Sequence, residues 1–230
     1  LDGSFGSGWP VYTDGVIFSS PVVGDINNDG KQEIVVGLFA DLSNGGGVYA
    51  FDRNGNVLPG WPFESGYTFW STPSLGDIDS DGDLEIAVSR LGFVTSLLHH
   101  DGSLVSGWPQ FTTWNDYYSS IRGDVNGDGS EDVITTAGSG FYPNDINHGG
   151  VYAWQTDGLS ISGFPKATDV DAQAPAVIAD IDHDGLAELI ASSDWDYDYV
   201  QNKPKHRGSI YVWELNSPYD ALSASWPMFM

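Results

Sequence analysis

The chain has 230 residues, of which 40% are hydrophobic and 13% aromatic, so it can close a substantial core and is no acidic disordered tail. Its 32 acidic side chains against 8 basic ones leave a formal charge of −24, which excludes nucleic acid and anionic membranes as partners and favours cations. There is no Cys, which excludes disulfides, thiolate metal sites and a Cys nucleophile, and no apolar run reaches the roughly 18–20 residues of a membrane span.

The elements repeat from the start. Asp2-Gly-Ser-Phe-Gly-Ser-Gly-Trp9 keeps the spacing of Asp101-Gly-Ser-Leu-Val-Ser-Gly-Trp108, so residues 1–18 read as the last strand of a preceding or closing unit. A Pro-led strand, Ser20-Pro-Val-Val-Gly24, then enters the acidic loop Asp25-Ile-Asn-Asn-Asp-Gly-Lys-Gln-Glu33. A β-branched strand, Glu33-Ile-Val-Val-Gly37, leaves that loop. Val48-Tyr-Ala-Phe-Asp52 follows, then an Asn54-Gly55 turn and Gly60-Trp-Pro62. The set recurs with acidic loops at Asp77-Ile-Asp-Ser-Asp-Gly-Asp-Leu-Glu85, Asp124-Val-Asn-Gly-Asp-Gly-Ser-Glu-Asp132 and Asp180-Ile-Asp-His-Asp-Gly-Leu-Ala-Glu188. Gly107-Trp-Pro109, Gly163-Phe-Pro165 and Ser225-Trp-Pro227 keep step with them.

Four short strands per unit, about 50 residues to a unit and no helical period predict an all-β fold, a β-propeller of four-stranded antiparallel blades. The expected blades are 9–59, 60–106, 107–162 and 163–230, four complete blades within a single region 1–230 that forms part of a larger propeller. The start at Leu1, without Met, reads as a processed or excised piece.

In each acidic loop, side chains at positions 1, 3 and 5 can converge if Gly at position 6 lets the chain curl, with the position-7 carbonyl and the position-9 acid completing an oxygen shell. The expected ligands are Asp25, Asn27, Asp29, Lys31 and Glu33, and Asp77, Asp79, Asp81, Asp83 and Glu85. The later loops supply Asp124, Asn126, Asp128, Ser130 and Asp132, then Asp180, Asp182, Asp184, Leu186 and Glu188. The closing acid stands at position 9 between strands, unlike an EF-hand, and oxygen-rich flexible loops suit Ca2+ better than Mg2+. About four Ca2+ per chain are expected. Weaker binding is expected at loops one and three, where Asn27 and Asn126 replace an acid. One such loop alone could be a solvated turn; four in step argue for metal.

These loops, preceded by Ser-Pro-x-x-Gly and followed by Ile-x-Val, resemble the FG-GAP or VCBS-type calcium repeats of integrin α-subunit propellers and secreted microbial proteins, best over residues 72–88. Ala179 in place of Gly and Phe164 in place of Trp depart from the pattern without removing a ligand. The resemblance implies a calcium-stabilised propeller, extracellular or at the cell surface, and says little about activity.

Propeller topology places the aromatic insertions on the face opposite the acidic loops. Trp70, Trp114, Tyr117, Tyr142, Trp195 and Tyr197 are the candidate ligand residues, suited to a glycan or a protein, with packing between blades as the alternative. Catalytic signals are thin. His99 and His100 are adjacent and should point to opposite faces, His183 fills a non-ligand position of loop four, and no nucleophile, zinc-protease or phosphate motif occurs. The expectation is a non-catalytic binding or adhesion module. The alternative is an architectural subunit that self-associates or packs on the rest of a parent chain, and a polysaccharide-degrading domain ranks behind both.

Overall fold

The computed structural model describes residues 3–39, 46–64, 69, 71–112, 118–138, 149–169, 171–172, 174–193, 197–198, 203–204 and 208–219. The described residues are all strand, turn and loop. Strands β1 (Val22–Gly24), β2 (Glu33–Gly37), β3 (Gly47–Phe51) and β4 (Phe63–Glu64) form one antiparallel sheet in sequence order. The second sheet has β5 (Ser74–Gly76), β6 (Glu85–Arg90), β7 (Val94–Leu98) and β8 (Gln110–Phe111). The third has β9 (Ile121–Gly123), β10 (Asp132–Ala137), β11 (Gly150–Trp154) and β12 (Lys166–Ala167).

The fourth sheet is three-stranded among the described residues. It joins β13 (Val177–Ala179), β14 (Leu186–Ser192) and β17 (Ile210–Pro218), while β15 (Tyr197–Asp198) and β16 (Lys203–Pro204) form a hairpin inserted between its last two strands. Ser225-Trp-Pro227, expected to supply its fourth strand, lies outside the described residues.

The fourth strands begin just after the Gly-Trp-Pro motif and do not include it. Proline has no N–H to give to a ladder, and each motif instead makes a turn with a cis bond at Pro10, Pro62, Pro109 and Pro165.

The core lies between successive sheets. Ile26, Val35, Val48, Trp61, Ile86, Val88 and Leu98 close the first junction. Ile78, Leu97, Trp108, Val133 and Trp154 close the second, and Ile121, Ile134, Val151, Leu189 and Leu215 close the third. A sheet covered on both faces needs apolar residues on both. Every residue of β7 and β10 is accordingly buried, whereas alternate residues of β17 are exposed.

Successive sheets meet at their first strands, with β1 against β5 and β5 against β9. The glycine ending each first strand allows this approach. A Cβ on Gly24 would stand 2.8 Å from Leu75, one on Gly76 2.3 Å from Arg122, and one on Gly123 2.6 Å from Ile178. Ala179 holds the same place in the fourth sheet, where no further sheet follows among the described residues.

Candidate metal loops and the family they define

Each acidic loop joins the first and second strands of its sheet, and all four fold alike. The residue at position 4 has positive φ (Asn28 53°, Ser80 62°, Gly127 78°, His183 63°), as does the glycine at position 6 (83°, 99°, 88° and 90°). Two left-handed residues on either side of position 5 curl the backbone, and the side chains hold the curl. The position-3 oxygen accepts the position-5 N–H in every loop, on Asn27, Asp79, Asn126 and Asp182 at 2.8–3.2 Å. The position-5 carboxylate accepts the position-7 N–H, from Lys31, Asp83, Ser130 and Leu186, at 2.8–2.9 Å.

The closing acids Glu33, Glu85, Asp132 and Glu188 are buried at the start of β2, β6 and β10 and early in β14. One oxygen of each accepts the backbone N–H of position 2: Ile26 to Glu33 at 3.1 Å, Ile78 to Glu85 at 2.9 Å, Val125 to Asp132 at 2.9 Å and Ile181 to Glu188 at 2.7 Å. The second oxygen of Glu85, Asp132 and Glu188 is buried with no hydrogen-bond partner, as are Asp77 Oδ1 and Asp180 Oδ1. An orphaned buried carboxylate oxygen costs several kcal/mol unless a cation meets it. Burial pushes the carboxyls of Glu33 and Glu85 above the usual range. It raises Asp132 to about 7, with the charges of Asp128 and Asp124 adding to the shift.

The loops differ in pairs. Asp77, Asp79 and Asp81 converge within 4.8 Å, as do Asp180, Asp182 and Glu188. Loops one and three form no such three-carboxylate group among the described residues. There the first acid takes two or more backbone N–H groups, whereas Asp180 of loop four takes one, from Gly185 at 3.1 Å. Asp25 accepts from the N–H groups of Asp29 (2.9 Å) and Gly30 (2.8 Å), and Asp124 from those of Gly127 (2.6 Å) and Gly129 (2.9 Å). Asp29 also pairs with Lys31 Nζ at 2.8 Å, and that hydrogen bond lowers its pKa.

Residues outside the nine-residue motifs also reach the loops. Gln155 and His99 stand one place beyond the last strand-2 to strand-3 pair, and Glu214 lies within that register. Gln155 Nε2 donates to Asp128 at 3.1 Å. His99 Nδ1 stands 3.5 Å from Glu85 Oε1. Glu214 pairs across the sheet with Glu188, and desolvation followed by the charges of Glu188, Asp182 and Asp184 raises its pKa. His100 Nδ1 lies 3.1 Å from Asp83. His99 and His100 thus both serve loop two, against the alternation expected of a strand, because β7 ends at Leu98 and both lie beyond its ladder.

Of the expected ligand residues, Trp70, Trp114, Tyr117, Tyr142 and Trp195 lie outside the described residues. Tyr197 is described only by its backbone, in β15, where it pairs with Pro204. A cleft of about 440 Å³ lies between the third and fourth sheets, lined in part by Gln155, Phe164, Lys166 and Glu214.

Tandem antiparallel sheets packed at their first strands, each carrying an acid-closed loop, define a propeller-like repeat protein, and the acidic groups of loops two and four could hold a metal ion. Residues 25–88, covering the first two loops, match the FG-GAP-like repeat family. No curated protein matches the chain. Among solved structures it is similar to the V. cholerae biofilm matrix protein Bap1, at 20% identity and TM-score 0.44, covering 87% of this chain and 40% of that one. It is also similar to a protein of Bifidobacterium bifidum s17 proposed as an exo-beta-1,3-galactanase, at 15% identity and TM-score 0.41, covering 91% and 71%. A third likeness is to the complex of BBS1N with ARL6DN, at 10% identity and TM-score 0.35, covering 88% and 84%. The chain therefore spans less than half the length of Bap1. No helix among the described residues is long and apolar enough to cross a membrane.

Proposed function

We propose that the chain is an extracellular β-propeller module whose four loops each bind Ca2+, and that it acts in binding or adhesion without catalysis. The observation that carries this is the closing carboxylate. In all four loops it spends one oxygen on the position-2 N–H, and in three of them the other oxygen is buried without a partner. An all-oxygen shell of this kind suits Ca2+, and extracellular modules take it at about 0.1–1 mM. Millimolar calcium outside cells makes such sites useful there. The four-sheet repeat and the packing of first strand on first strand support blades set around an axis.

Calorimetric titration of EDTA-stripped protein tests the metal. About four Ca2+ per chain with a raised melting temperature are expected, and a folded chain that binds none overturns the reading. The ligand face is the one opposite the loops, where Trp and Tyr beside Asp and Asn suit a sugar ring or a protein surface. A glycan array with Trp114→Ala and Trp195→Ala tests it. Binding lost in either variant supports a glycan module, whereas silence with calcium-dependent self-association turns the reading to an architectural subunit.

A further inference from the structure

Loop two has a feature the other loops lack. Leu98, the last residue of β7, pairs with Ile86, so His99 comes to lie beside Glu85, the acid that closes the loop. The corresponding residues of the other sheets are Asp52, Gln155 and Glu214, whose ligand atoms are oxygens. Asp79, Glu85 and His99 each bring one ligand atom to within 4.8 Å of the others. Glu85 is fully buried, and its Oε1 has no hydrogen-bond partner although His99 Nδ1 stands 3.5 Å away.

That separation is long for a hydrogen bond. It fits two ligands of one ion, because donors about 2.1 Å from a tetrahedral centre lie about 3.4 Å apart. Calcium takes oxygen, whereas imidazole nitrogen with carboxylate suits Mn2+, Co2+ and Zn2+. Asp77 and Asp81 form a second trio through the shared Asp79, so further oxygens stand ready to fill the shell.

We propose that loop two, which takes Ca2+ when no other ion competes, is a mixed nitrogen–oxygen site that prefers a borderline divalent transition ion, held by Asp79, Glu85 and His99, while the other three loops offer oxygen alone. This rests on the reading of the loops as metal sites and assigns loop two its own selectivity. His100 pairs with Asp83 and takes no part.

Cobalt is the probe, since a Co2+ ion with a nitrogen ligand in a low-coordinate shell absorbs in the visible. EDTA-stripped full chain is titrated with Co2+ in about 2 mM Ca2+, with calcium sites counted separately by calorimetry. About one Co2+ per chain should bind despite the calcium. His99→Gln, which installs the residue the third sheet carries at this register, should weaken it at least about tenfold and leave the calcium count at the other loops unchanged. His100→Gln should leave Co2+ binding intact. Calcium binding without Co2+, or Co2+ binding equal in His99→Gln, overturns this proposal alone. Failure to bind either ion overturns the metal reading of the loops with it.

Discussion

The Trp61 indole N–H donates to the carbonyl oxygen of His100, 2.9 Å away and 39 residues further along the chain. The bond crosses from the motif that ends one sheet to the turn after the third strand of the next. Trp9 does the same to Arg53 at 3.0 Å and Trp108 to Thr156 at 2.6 Å. The same latch thus recurs three times, at the first two junctions between sheets and where Trp9 packs on the first sheet. Trp61→Phe keeps the ring and removes the donor, which should cost about 1 kcal/mol. Trp61→Ala also opens a cavity and should cost about 3–5 kcal/mol. Thermal melts in calcium check both, and a melting temperature of Trp61→Phe equal to that of the wild type would deny the latch its separate contribution.

The glycine before each tryptophan is held by the same junction. A Cβ on Gly60 would stand 2.0 Å from the Asp101 carbonyl oxygen, a backbone atom that cannot step aside. Gly163 has a similar φ, +88° against +86°, but only Lys166 Nζ lies near, at 3.7 Å. Gly163→Ala should therefore cost only the left-handed strain of about 1–2 kcal/mol. Gly60→Ala should cost clearly more, with loss of the packing between the first two sheets. Chemical denaturation of the two variants checks the difference, and equal losses would show that strain alone matters at Gly60.

The loops were legible in the sequence because their geometry is local. Asx turns and left-handed glycines act over two to five residues, so a nine-residue motif repeated four times carries the whole fold of the loop. His99, Gln155 and Glu214 were not legible as neighbours of the loops, because only strand register brings a residue from the third strand beside the closing acid. The two departures from the repeat acquire reasons the same way. Ala179 needs no glycine where no next sheet crowds it among the described residues. Phe164 serves at the junction where no latch is recorded among them, and packs instead against the third core cluster with Lys166 Nζ over its ring.

Loop one should be weakened as a metal site by its own lysine. Lys31 Nζ holds Asp29, an expected ligand, at 2.8 Å, yet Lys31 itself would contribute only its main-chain carbonyl. An exposed ion pair is worth little to folding, so Lys31→Ser, which copies Ser130 of loop three, should leave metal-free stability nearly unchanged. It should raise calcium affinity at loop one several-fold, and Asn27→Asp should raise it further. Site-resolved calcium titration by NMR, following the Gly30 amide, checks this. Unchanged affinity in both variants would mean that loop one does not bind through Asp29 and position 3.

Removal of calcium should invert the usual response to acid. The Asp132 carboxyl is pushed to about 7 from an ordinary 3.8, by burial first and then by the charges of Asp128, Asp124 and Glu131, against the hydrogen bond from Val125. A folded-state value above the unfolded one means that the folded chain holds the extra proton between about pH 4 and 7. Metal-free stability should therefore fall as pH rises through that window, by on the order of 4 kcal/mol. Glu33 and Glu85 shift in the same direction. The carboxyls held low by hydrogen bonds, among them Asp52, Asp101 and Asp169, act in the opposite sense but only below about pH 4. Calcium requires the charged carboxylate, so its binding should release protons and its stabilisation should be largest near pH 7 and fade toward pH 5. Melting curves from pH 4 to 8, on dialysed metal-free protein and in about 2 mM Ca2+, should start close together at low pH and diverge as pH rises. Asp132→Asn should flatten the metal-free curve, whereas a metal-free curve that rises steadily to pH 7 would show that the closing carboxylates are not buried as acids waiting for a cation.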